Sequence, residues 1–386
     1  MIARAITEKL LAMAEKFPVV TLTGPRQSGK STLVKAVFPD YAYVSLEDPD
    51  ERAFAQDDPR SFLERYGTRT VIDEVQRVPT LFSYVQGVVD AENEPGLYVL
   101  SGSQNFLLMK HLTQSLAGRV AVLHLLPFSY AEAQHAEKAS DWEFVFKGGY
   151  PRIYDFEIQP DDYYPNYVRT YLERDVRKEL GVGKLEDFER FMSLCALRVG
   201  SLLNLDELAR DCGINVKTAR SWLSVLQQSF VVYLLPSYYA NMGKRLMKSP
   251  KLFFYDTGLA ASLLGVESPA DAEFGSHRGA LFENVVLSEV LKEYFNHGKS
   301  PKVFFWRDSN GTEVDFLIER GGRAHALGEA KASATYAPKY FDSLEKVGSF
   351  LEVPEDSRYV IYGGSEILET RHGHVLSLRE AHRLAV

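Results

Sequence analysis

Eight residues near the amino terminus have the types and spacing of a phosphate-binding loop. Residues 24–31 read GPRQSGKS, the pattern G-x-x-x-x-G-K-[ST], between an apolar run and a helical pattern. Glycines at both ends of such a loop let backbone N–H groups wrap a phosphate chain at a helix N-terminus, where anions are favoured. The pattern predicts nucleotide binding. The expected nucleotide-binding residues are Gly24, Pro25, Arg26, Gln27, Ser28, Gly29, Lys30, Ser31 and Thr32.

A nucleotide-hydrolysing site also needs a metal ligand and a group that activates water. Lys30 is placed to reach the β- and γ-phosphates of ATP, and the Ser31 hydroxyl to bind Mg²⁺. Asp73 and Glu74 follow the short apolar run TVI, at the end of a strand where ligands bind in open α/β sheets. We expect Asp73 to hold Mg²⁺ and Glu74 to polarise the attacking water, although paired carboxylates at strand ends are also common surface features.

Two further residues are candidates for this site. Ser103 lies in the polar cluster that follows the strand pattern YVLSG, and it is predicted to sense the γ-phosphate or orient water, with Gln104 as second choice. Simple capping of the strand end is the alternative. Arg119 follows a glycine and has the character of an arginine finger, acting in cis or from a neighbouring subunit. A solvated arginine explains it equally well.

A second set of charged residues lies late in the chain, in TEVDFLIERGGRAHALGEAK (312–331). The two apolar runs predict a hairpin, and alternation places Glu329 and Lys331 on one face of their strand. A two-residue Gly-Gly loop sets Gly328 opposite Asp315, whereas a three-residue loop sets Glu329 there. Bringing the two carboxylates together therefore requires an odd loop or a bulge.

Two carboxylates at one point repel unless a cation lies between them, and Mg²⁺ or Mn²⁺ suits such oxygen ligands. Lys331 would orient or deprotonate an attacking water or stabilise a charged transition state. This Asp…Glu-x-Lys pattern resembles that of the restriction-endonuclease-like fold. The resemblance implies a further carboxylate from a preceding helix, and Glu283 fits. Such domains also serve as DNA-binding or structural modules.

The middle of the chain has a helix-turn-helix pattern between Leu203 and Leu235, with a turn at Gly213. On its second helix, four polar residues lie toward the exposed side, as groove-facing residues must. These candidate DNA contacts are Lys217, Thr218, Arg220 and Ser221. Residues 165–250 carry 13 Lys/Arg against 9 Asp/Glu, in a chain of net charge −8. For the helix-turn-helix, packing against other protein surfaces is the alternative. Lys244, Arg245 and Lys248 suit a backbone contact, and a solvated loop is the alternative for them.

Composition sets the wider limits. The chain has 386 residues, 45% hydrophobic and 25% charged, which is typical of globular proteins with two or three domains. Charge or proline interrupts every apolar run, so no membrane segment and no signal peptide is predicted, and the first 17 residues indicate an amphipathic helix. Two cysteines, Cys195 and Cys212, provide neither a disulfide framework nor a zinc site, so a cytoplasmic location is expected.

The chain also resembles a known family, the AAA-type P-loop ATPases fused to a C-terminal domain of unknown function. The motifs that carry the resemblance are TGPRQSGKSTL, VIDEVQ, LSGSQNFLL, SLAGRVAVLHLLPFSYAE, GGYPRIY, YLERDV, FFYDTGLAASLLG, GALFENVVLSEVL and FWRDSNGTEVDF. Their order covers nearly the whole chain. The resemblance implies an AAA+ core, a winged-helix region and a nuclease-like C-terminal domain. It also favours Arg119 as the finger, and with it an oligomer.

The predicted fold class is therefore α/β, with three parts. They are a P-loop AAA+ ATPase core (residues 1–160), a winged helix-turn-helix region (161–250) and a restriction-endonuclease-like α/β domain (251–386). The leading functional hypothesis is an ATP- and Mg²⁺-dependent ATPase that processes or remodels DNA, including branched DNA. The alternative is a nucleotide-switched DNA- or protein-binding regulator whose C-terminal domain is not catalytic.

Overall fold

The computed structural model describes residues 2–103, 115–171, 185–238 and 249–385. The chain forms two compact units. The first comprises residues 1–127 with the short segments 228–230 and 295–299, and the second comprises the remainder. The predicted domain limits at residues 160 and 250 remain predictions. Within the described ranges, no helix is both long enough and apolar enough to cross a bilayer.

The first unit is built on a five-stranded parallel sheet flanked by helices. Along the chain its elements are α1 (Thr7–Ala14), β1 (Val19–Thr23), α2 (Lys30–Val37), β2 (Ala42–Ser45), α3 (Pro49–Asp57), α4 (Pro59–Tyr66), β3 (Thr70–Asp73), α5 (Leu81–Glu92), β4 (Tyr98–Gly102) and β5 (Val120–His124). The strand order is β2-β3-β4-β1-β5, and every neighbouring pair is parallel. All five carboxyl ends therefore meet at one edge of the sheet.

Alternation along the central strands produces two cores, one on each face of this sheet. Val19 and Ile72 belong to one apolar cluster, which also holds Phe62 and Val85 from the helices. Their chain neighbours Val20 and Val71 belong to the other cluster, with α1 and α2. Because both faces are covered, the strands are almost continuously apolar, as expected for a parallel sheet.

The second unit begins with helices. They are α6 (Tyr130–Ala136), α7 (Asp141–Lys147), α8 (Pro151–Asp155), α9 (Pro160–Tyr171), α10 (Leu185–Ala196), α11 (Leu205–Cys212) and α12 (Val216–Gln228), and a hairpin-like pair follows, β6 (Val232–Leu235) and β7 (Lys251–Phe254). Gly213 ends α11 in the left-handed conformation, with φ 76°. The predicted helix-turn-helix is thus present as α11 and α12. Its assignment to the winged-helix class stays a prediction.

A six-stranded mixed sheet completes the second unit. Its elements follow α13 (Thr257–Leu263), α14 (Pro269–Phe274) and α15 (Arg278–Asn296), and they are β8 (Val303–Arg307), β9 (Glu313–Arg320), β10 (Arg323–Lys331), α16 (Asp342–Leu351), β11 (Arg358–Tyr362), β12 (Leu368–Thr370) and β13 (Gly373–Ser377). The order is β12-β13-β11-β10-β9-β8. Phe316 and Leu317 point to opposite faces of β9, and both are fully buried. The hairpin strands are therefore covered on both sides at their centre.

The histidine at the end of β5 makes the stability of the first unit depend on pH. The His124 ring packs against Phe230 and Phe295, with ring centroids 5.4 and 5.1 Å away, and burial lowers the pKa of His124 to about 4. In the unfolded chain the His124 ring is protonated below about pH 6.5, whereas in the folded chain it is protonated only below about pH 4. Stability is therefore expected to fall as the pH is lowered through this range, by up to about 3 kcal/mol from this residue.

Urea unfolding at several pH values between 7 and 4 measures this effect. His124→Phe is expected to flatten the pH dependence relative to the unsubstituted protein, whereas His135→Gln, at an exposed position, leaves it unchanged. Equal pH slopes for the His124 variant and the unsubstituted protein would contradict the assignment.

Candidate functional site

The phosphate-binding loop connects β1 to α2 at the carboxyl edge of the sheet. Gly29 precedes α2 with φ 92°, and Gln27 adopts φ 59°. Gly24 lies close to the residue that follows β5, so that a Cβ atom on Gly24 would be 2.1 Å from the Leu125 carbonyl oxygen. The two glycines of the motif are therefore required, one by backbone conformation and one by close approach.

Lys30 is the buried cation of this loop. Its Nζ donates hydrogen bonds to the carbonyl oxygens of Gly24 (3.1 Å) and Pro25 (2.7 Å). Burial lowers the pKa of Lys30 to about 8, and the nearby carboxylates of Glu74 and Asp73 partly oppose this shift. The ammonium thus lies inside the loop, where a phosphate would give it a stronger partner than carbonyl groups.

Ser31 and Asp73, predicted as magnesium ligands, are in direct contact. The Ser31 hydroxyl donates to Asp73 Oδ2 at 2.6 Å. Asp73 is buried at the end of β3, and the register that pairs Asp73 with Ser101 and Thr23 with Gly102 aligns the three strand ends. A hydroxyl and a carboxylate at one sheet edge are the hard oxygen ligands that Mg²⁺ prefers.

Three residues around Asp73 and the phosphate loop were missed from the sequence. Tyr43 on β2 and Ser101 on β4 donate hydroxyl hydrogen bonds to Asp73, at 2.7 and 2.5 Å. Arg4, just before α1, donates from its guanidinium to the carbonyl oxygens of Ser28 (2.9 Å) and Leu126 (2.7 Å). No motif assigns these residues a role, although Ser101 lies within LSGSQNFLL, so only the strand order, with β3 between β2 and β4, could have identified Tyr43 and Ser101.

Glu74 lies at the same edge, one residue beyond β3. Its backbone is in the left-handed region (φ 55°, ψ 38°), an unusual conformation for glutamate that holds the side chain at the sheet edge. Glu74 Oε2 accepts hydrogen bonds from Gln76 Nε2 (2.5 Å) and from the buried Ser103 hydroxyl (3.4 Å). The predicted water-activating and sensor residues are therefore neighbours, with Gln76 as an unpredicted third partner.

The residues present fit ATP with Mg²⁺. The buried Ser28 hydroxyl in the loop has no hydrogen-bond partner among the described residues, which leaves a polar atom for a phosphate oxygen. Ser31 and Asp73 would hold the Mg²⁺ ion, which when bound would neutralise charge on the phosphates. Lys30 and the loop backbone would bind and orient the phosphate chain. Pro25, Arg26 and Thr32 lie in the same loop or in the first turn of α2.

Arg119 lies elsewhere. It immediately precedes β5, and its carbonyl oxygen accepts a hydrogen bond from the Val19 N–H, at the start of β1 (3.2 Å). This is the amino-terminal edge of the sheet, about 16 Å from the loop by the length of β1. Its guanidinium pairs with Asp90 and donates to the Ala117 carbonyl oxygen. The structure therefore does not support a finger acting in cis, and the role in trans stays a prediction.

Tyr43 offers a test of the Asp73 hydrogen-bond set. Tyr43→Phe removes the hydroxyl that donates to Asp73 and keeps the ring, over which Lys35 Nζ lies at 3.9 Å from the centroid. Losing one hydrogen bond to the carboxylate is expected to lower kcat/KM for ATP hydrolysis about 3- to 10-fold. Tyr41→Phe is the matched control, because the Tyr41 hydroxyl donates to the Gly96 carbonyl oxygen instead. Equal losses in steady-state assays of the two variants would contradict the role of Tyr43.

The candidate DNA contacts lie on α12. Lys217, Arg220 and Ser221 are exposed, while Thr218 is half-buried. The Thr218 backbone N–H and hydroxyl both donate to Asn215 Oδ1, at 2.8 and 3.1 Å, so this threonine helps to cap its own helix. Three of the four side chains are therefore accessible to a partner. Gln104, Lys244, Arg245 and Lys248 lie outside the described residues.

The hairpin contains the bulge that the sequence required. Arg320 pairs with Arg323, so the turn is the two-residue Gly-Gly loop, and the register then shifts between Ala324 and Ala326. The shift places Gly328 opposite Phe316, and one residue further it places Glu329 opposite Asp315. Asp315 Oδ2 also accepts the Ala330 N–H at 3.0 Å. The extra residue, His325, thus brings the two carboxylates to one position of the ladder.

A lysine that was not predicted lies among these carboxylates. Lys251 Nζ on β7 is 2.9 Å from Glu283 Oε1, 2.5 Å from Glu313 Oε1 and 3.8 Å from Asp315 Oδ1. Burial tends to lower the pKa of Lys251, but Glu283, Asp315 and Glu313 together raise it above its usual value. This lysine is therefore a permanent cation.

The remaining charged pair joins neighbours on one strand. Lys331 Nζ is 2.5 Å from Glu329 Oε1, whereas the buried Glu329 Oε2 has no hydrogen-bond partner among the residues that the structure describes. Burial, and then the nearby Asp315 carboxylate, raises the pKa values of both Glu283 and Glu329.

The predicted ligand set Glu283, Asp315 and Glu329 does not fit a divalent metal ion as arranged. The Lys251 ammonium donates a hydrogen bond to Glu283 and lies near Asp315. The Lys331 ammonium donates a hydrogen bond to Glu329. In the described parts of the chain, no three His, Cys, Asp or Glu side chains form a group that could hold a metal ion. The carboxylates converge on an ammonium instead.

Comparison with known proteins agrees with the first of these two sites. Residues 16–134 match the family described as AAA domain. The matched range contains the phosphate-binding loop, Asp73 and Glu74. Residues 138–270 and 278–381 match two domains of unknown function, DUF8612 and DUF4143.

Relatives and solved structures similar to this chain were also found. Uncharacterised proteins of Mycobacterium bovis and Mycobacterium tuberculosis are each 31% identical over 338 residues, covering 86% of this chain and 74% of theirs. A Walker-type ATPase of Pyrococcus abyssi is similar in structure, at 15% identity over 68% of this chain and 96% of that one, with a TM-score of 0.45. The chain therefore belongs to the same family as the two mycobacterial proteins, and it is an AAA-type ATPase family member with a DUF4143 domain at its carboxyl end.

Proposed function

We propose that this protein binds ATP with Mg²⁺ at the loop between β1 and α2, hydrolyses it, and uses the hydrolysis cycle to act on DNA. The observation that carries the ATPase proposal is the 2.6 Å contact between Ser31 and Asp73 beside the buried Lys30, with Glu74 at the same sheet edge. In this arrangement the loop binds the phosphates, Ser31 and Asp73 hold Mg²⁺, and Glu74 takes a proton from the attacking water.

The DNA proposal rests on α12. Lys217 and Arg220 are exposed on the second helix of a helix-turn-helix, the element that enters the major groove in such proteins. Two exposed cations on one helix face can contact DNA phosphates, and such contacts give affinity without sequence specificity. The proposed role is therefore binding to DNA shape and backbone, with ATP turnover coupled to it.

The test measures ATP turnover of the full chain with single-stranded, duplex and branched DNA, and DNA binding at several salt concentrations. At least one DNA form is expected to raise turnover. Charge reversal at Lys217 and Arg220 is expected to weaken binding and to lower the salt slope by about one unit per lost phosphate contact. If no DNA form binds at low salt or changes turnover, the DNA proposal is wrong.

A second candidate function differs only in what the C-terminal domain does. The cluster around Lys251 favours a nucleotide-switched regulator whose C-terminal domain binds a partner without cutting it. Incubating the same DNA forms with Mg²⁺ or Mn²⁺ separates the two functions. Cleavage that is lost in Asp315→Ala and Lys331→Ala, with ATP hydrolysis retained, would support a nuclease, and no cleavage supports the regulator.

A further inference from the structure

The ammonium of Lys251 is enclosed by acidic side chains from two other elements. Glu283 comes from α15, and Glu313 and Asp315 come from β9, while Lys251 itself begins β7. The Lys251 side chain is only 4% exposed, and its Nζ also lies 5.7 Å from the centroid of the Phe305 ring. A buried cation held this way by two other elements is a built feature of the second unit rather than a surface ion pair.

This ammonium lies beside two of the three carboxylates predicted as metal ligands, Glu283 and Asp315. A divalent ion must contact several carboxylate oxygens at about 2.0–2.6 Å. Here Glu283 and Glu313 have oxygen atoms at 2.9 and 2.5 Å from Nζ, the distances of charge-assisted hydrogen bonds. A metal ion at this point would therefore occupy the space that the Lys251 ammonium already fills.

The other oxygen atoms of the predicted set do not offer a second position. Asp315 Oδ2 accepts the Ala330 N–H, and Glu329 Oε1 is paired with Lys331. Glu329 Oε2 is buried and has no hydrogen-bond partner among the described residues. Within the described residues, no three His, Cys, Asp or Glu side chains form a group that could hold a metal ion, so this oxygen atom has no arranged set of protein ligands beside it.

We infer that Lys251 is the resident cation of this carboxylate cluster, in place of a divalent metal ion, although the Asp…Glu-x-Lys pattern is intact. An ammonium neutralises the carboxylates and ties β7, α15 and β9 together, but it cannot act as a Lewis acid or lower the pKa of a bound water. This inference concerns the second unit only and does not depend on the proposed ATPase or on DNA binding.

Binding of Mn²⁺ alone to the nucleotide-free full-length protein tests the inference, with free Mn²⁺ followed by electron paramagnetic resonance. The unsubstituted protein and Asp315→Asn are expected to bind the same amount of Mn²⁺, since the cluster takes none. Lys251→Met is expected to bind one additional equivalent, and Lys251→Met combined with Asp315→Asn is expected to lose it. Any binding at the phosphate loop is common to all four proteins and cancels in the comparison.

Two results would overturn the inference. One is Mn²⁺ binding by the unsubstituted protein that Asp315→Asn abolishes, because the cluster would then hold a metal with Lys251 present. The other is a folded Lys251→Met protein that gains no Mn²⁺. If Lys251→Met does not fold, the comparison of the unsubstituted protein with Asp315→Asn decides alone. ATP turnover of each variant, measured in parallel, shows whether a failure belongs to the ATPase proposal instead.

Discussion

Replacing Glu74 by glutamine is expected to lower the rate of ATP hydrolysis by about 10²–10⁴-fold while ATP binding is retained. Glutamine keeps the size and the hydrogen-bonding oxygen of the side chain, so it can still accept from Gln76 and Ser103. It cannot take a proton from water. Because Glu74 lies beyond the end of β3 rather than in the phosphate loop, its carboxylate contributes little to holding the nucleotide.

Phosphate release under saturating ATP and titration of a fluorescent ATP analogue measure the two properties separately. Lys30→Ala is the contrasting variant, since it removes the buried ammonium of the loop and is expected to weaken binding itself. Ser103→Ala removes a 3.4 Å contact to Glu74 and is expected to reduce hydrolysis by less than tenfold. Hydrolysis by Glu74→Gln within tenfold of the unsubstituted rate would contradict the assigned role.

Strand direction limits what Arg119 can do. Arg119 immediately precedes β5. Because β5 runs parallel to β1, residues that precede β5 lie at the edge opposite the loop, beside Val19. A finger role for Arg119 would therefore require the site of another subunit, and a solvated arginine paired with Asp90 is the alternative.

The parts of the site that the sequence predicted are those set by consecutive residues. The loop from Gly24 to Ser31 carries its own conformation in its glycines, and Asp73 and Glu74 follow directly on a buried strand. Tyr43 and Ser101 could not be found this way. They reach Asp73 because β2 and β4 are its neighbours in the sheet, and strand order is a property of the whole unit.

In the hairpin, too, the sequence predicts what consecutive residues set and misses what distant residues contribute. Alternation along β9 and β10 predicts which side chains share a face, and it predicts that a bulge or an odd loop must exist for Asp315 to meet Glu329. It does not say which of the two occurs, because the energy difference between a three-residue turn and a two-residue turn with a bulge is small. Lys251 is more than sixty residues earlier in the chain, so nothing in the hairpin indicates it.

Replacing Lys251 by methionine is expected to destabilise the second unit by about 3–5 kcal/mol. Methionine fills nearly the same volume, but it leaves Glu283, Glu313 and Asp315 facing one another without their cation. Lys331→Met is the matched control, because Lys331 makes an equally short contact with Glu329 while its side chain is 34% exposed. That pair is screened by solvent, so its loss should cost about 1 kcal/mol or less.

Urea unfolding followed by near-ultraviolet circular dichroism measures both variants. The double variant Lys251→Met with Glu283→Gln removes one of the stranded carboxylates and is expected to recover at least about 1 kcal/mol of the loss, which a double-mutant cycle reports as coupling. Lys251 and Lys331 carry the same charge and have carboxylate contacts of the same length, so any difference between them must come from burial and from the number of carboxylates each one neutralises. Equal losses for the two single variants would mean that burial and the additional carboxylates add nothing to the Lys251 contacts, and the inference of a resident cation would lose its physical basis.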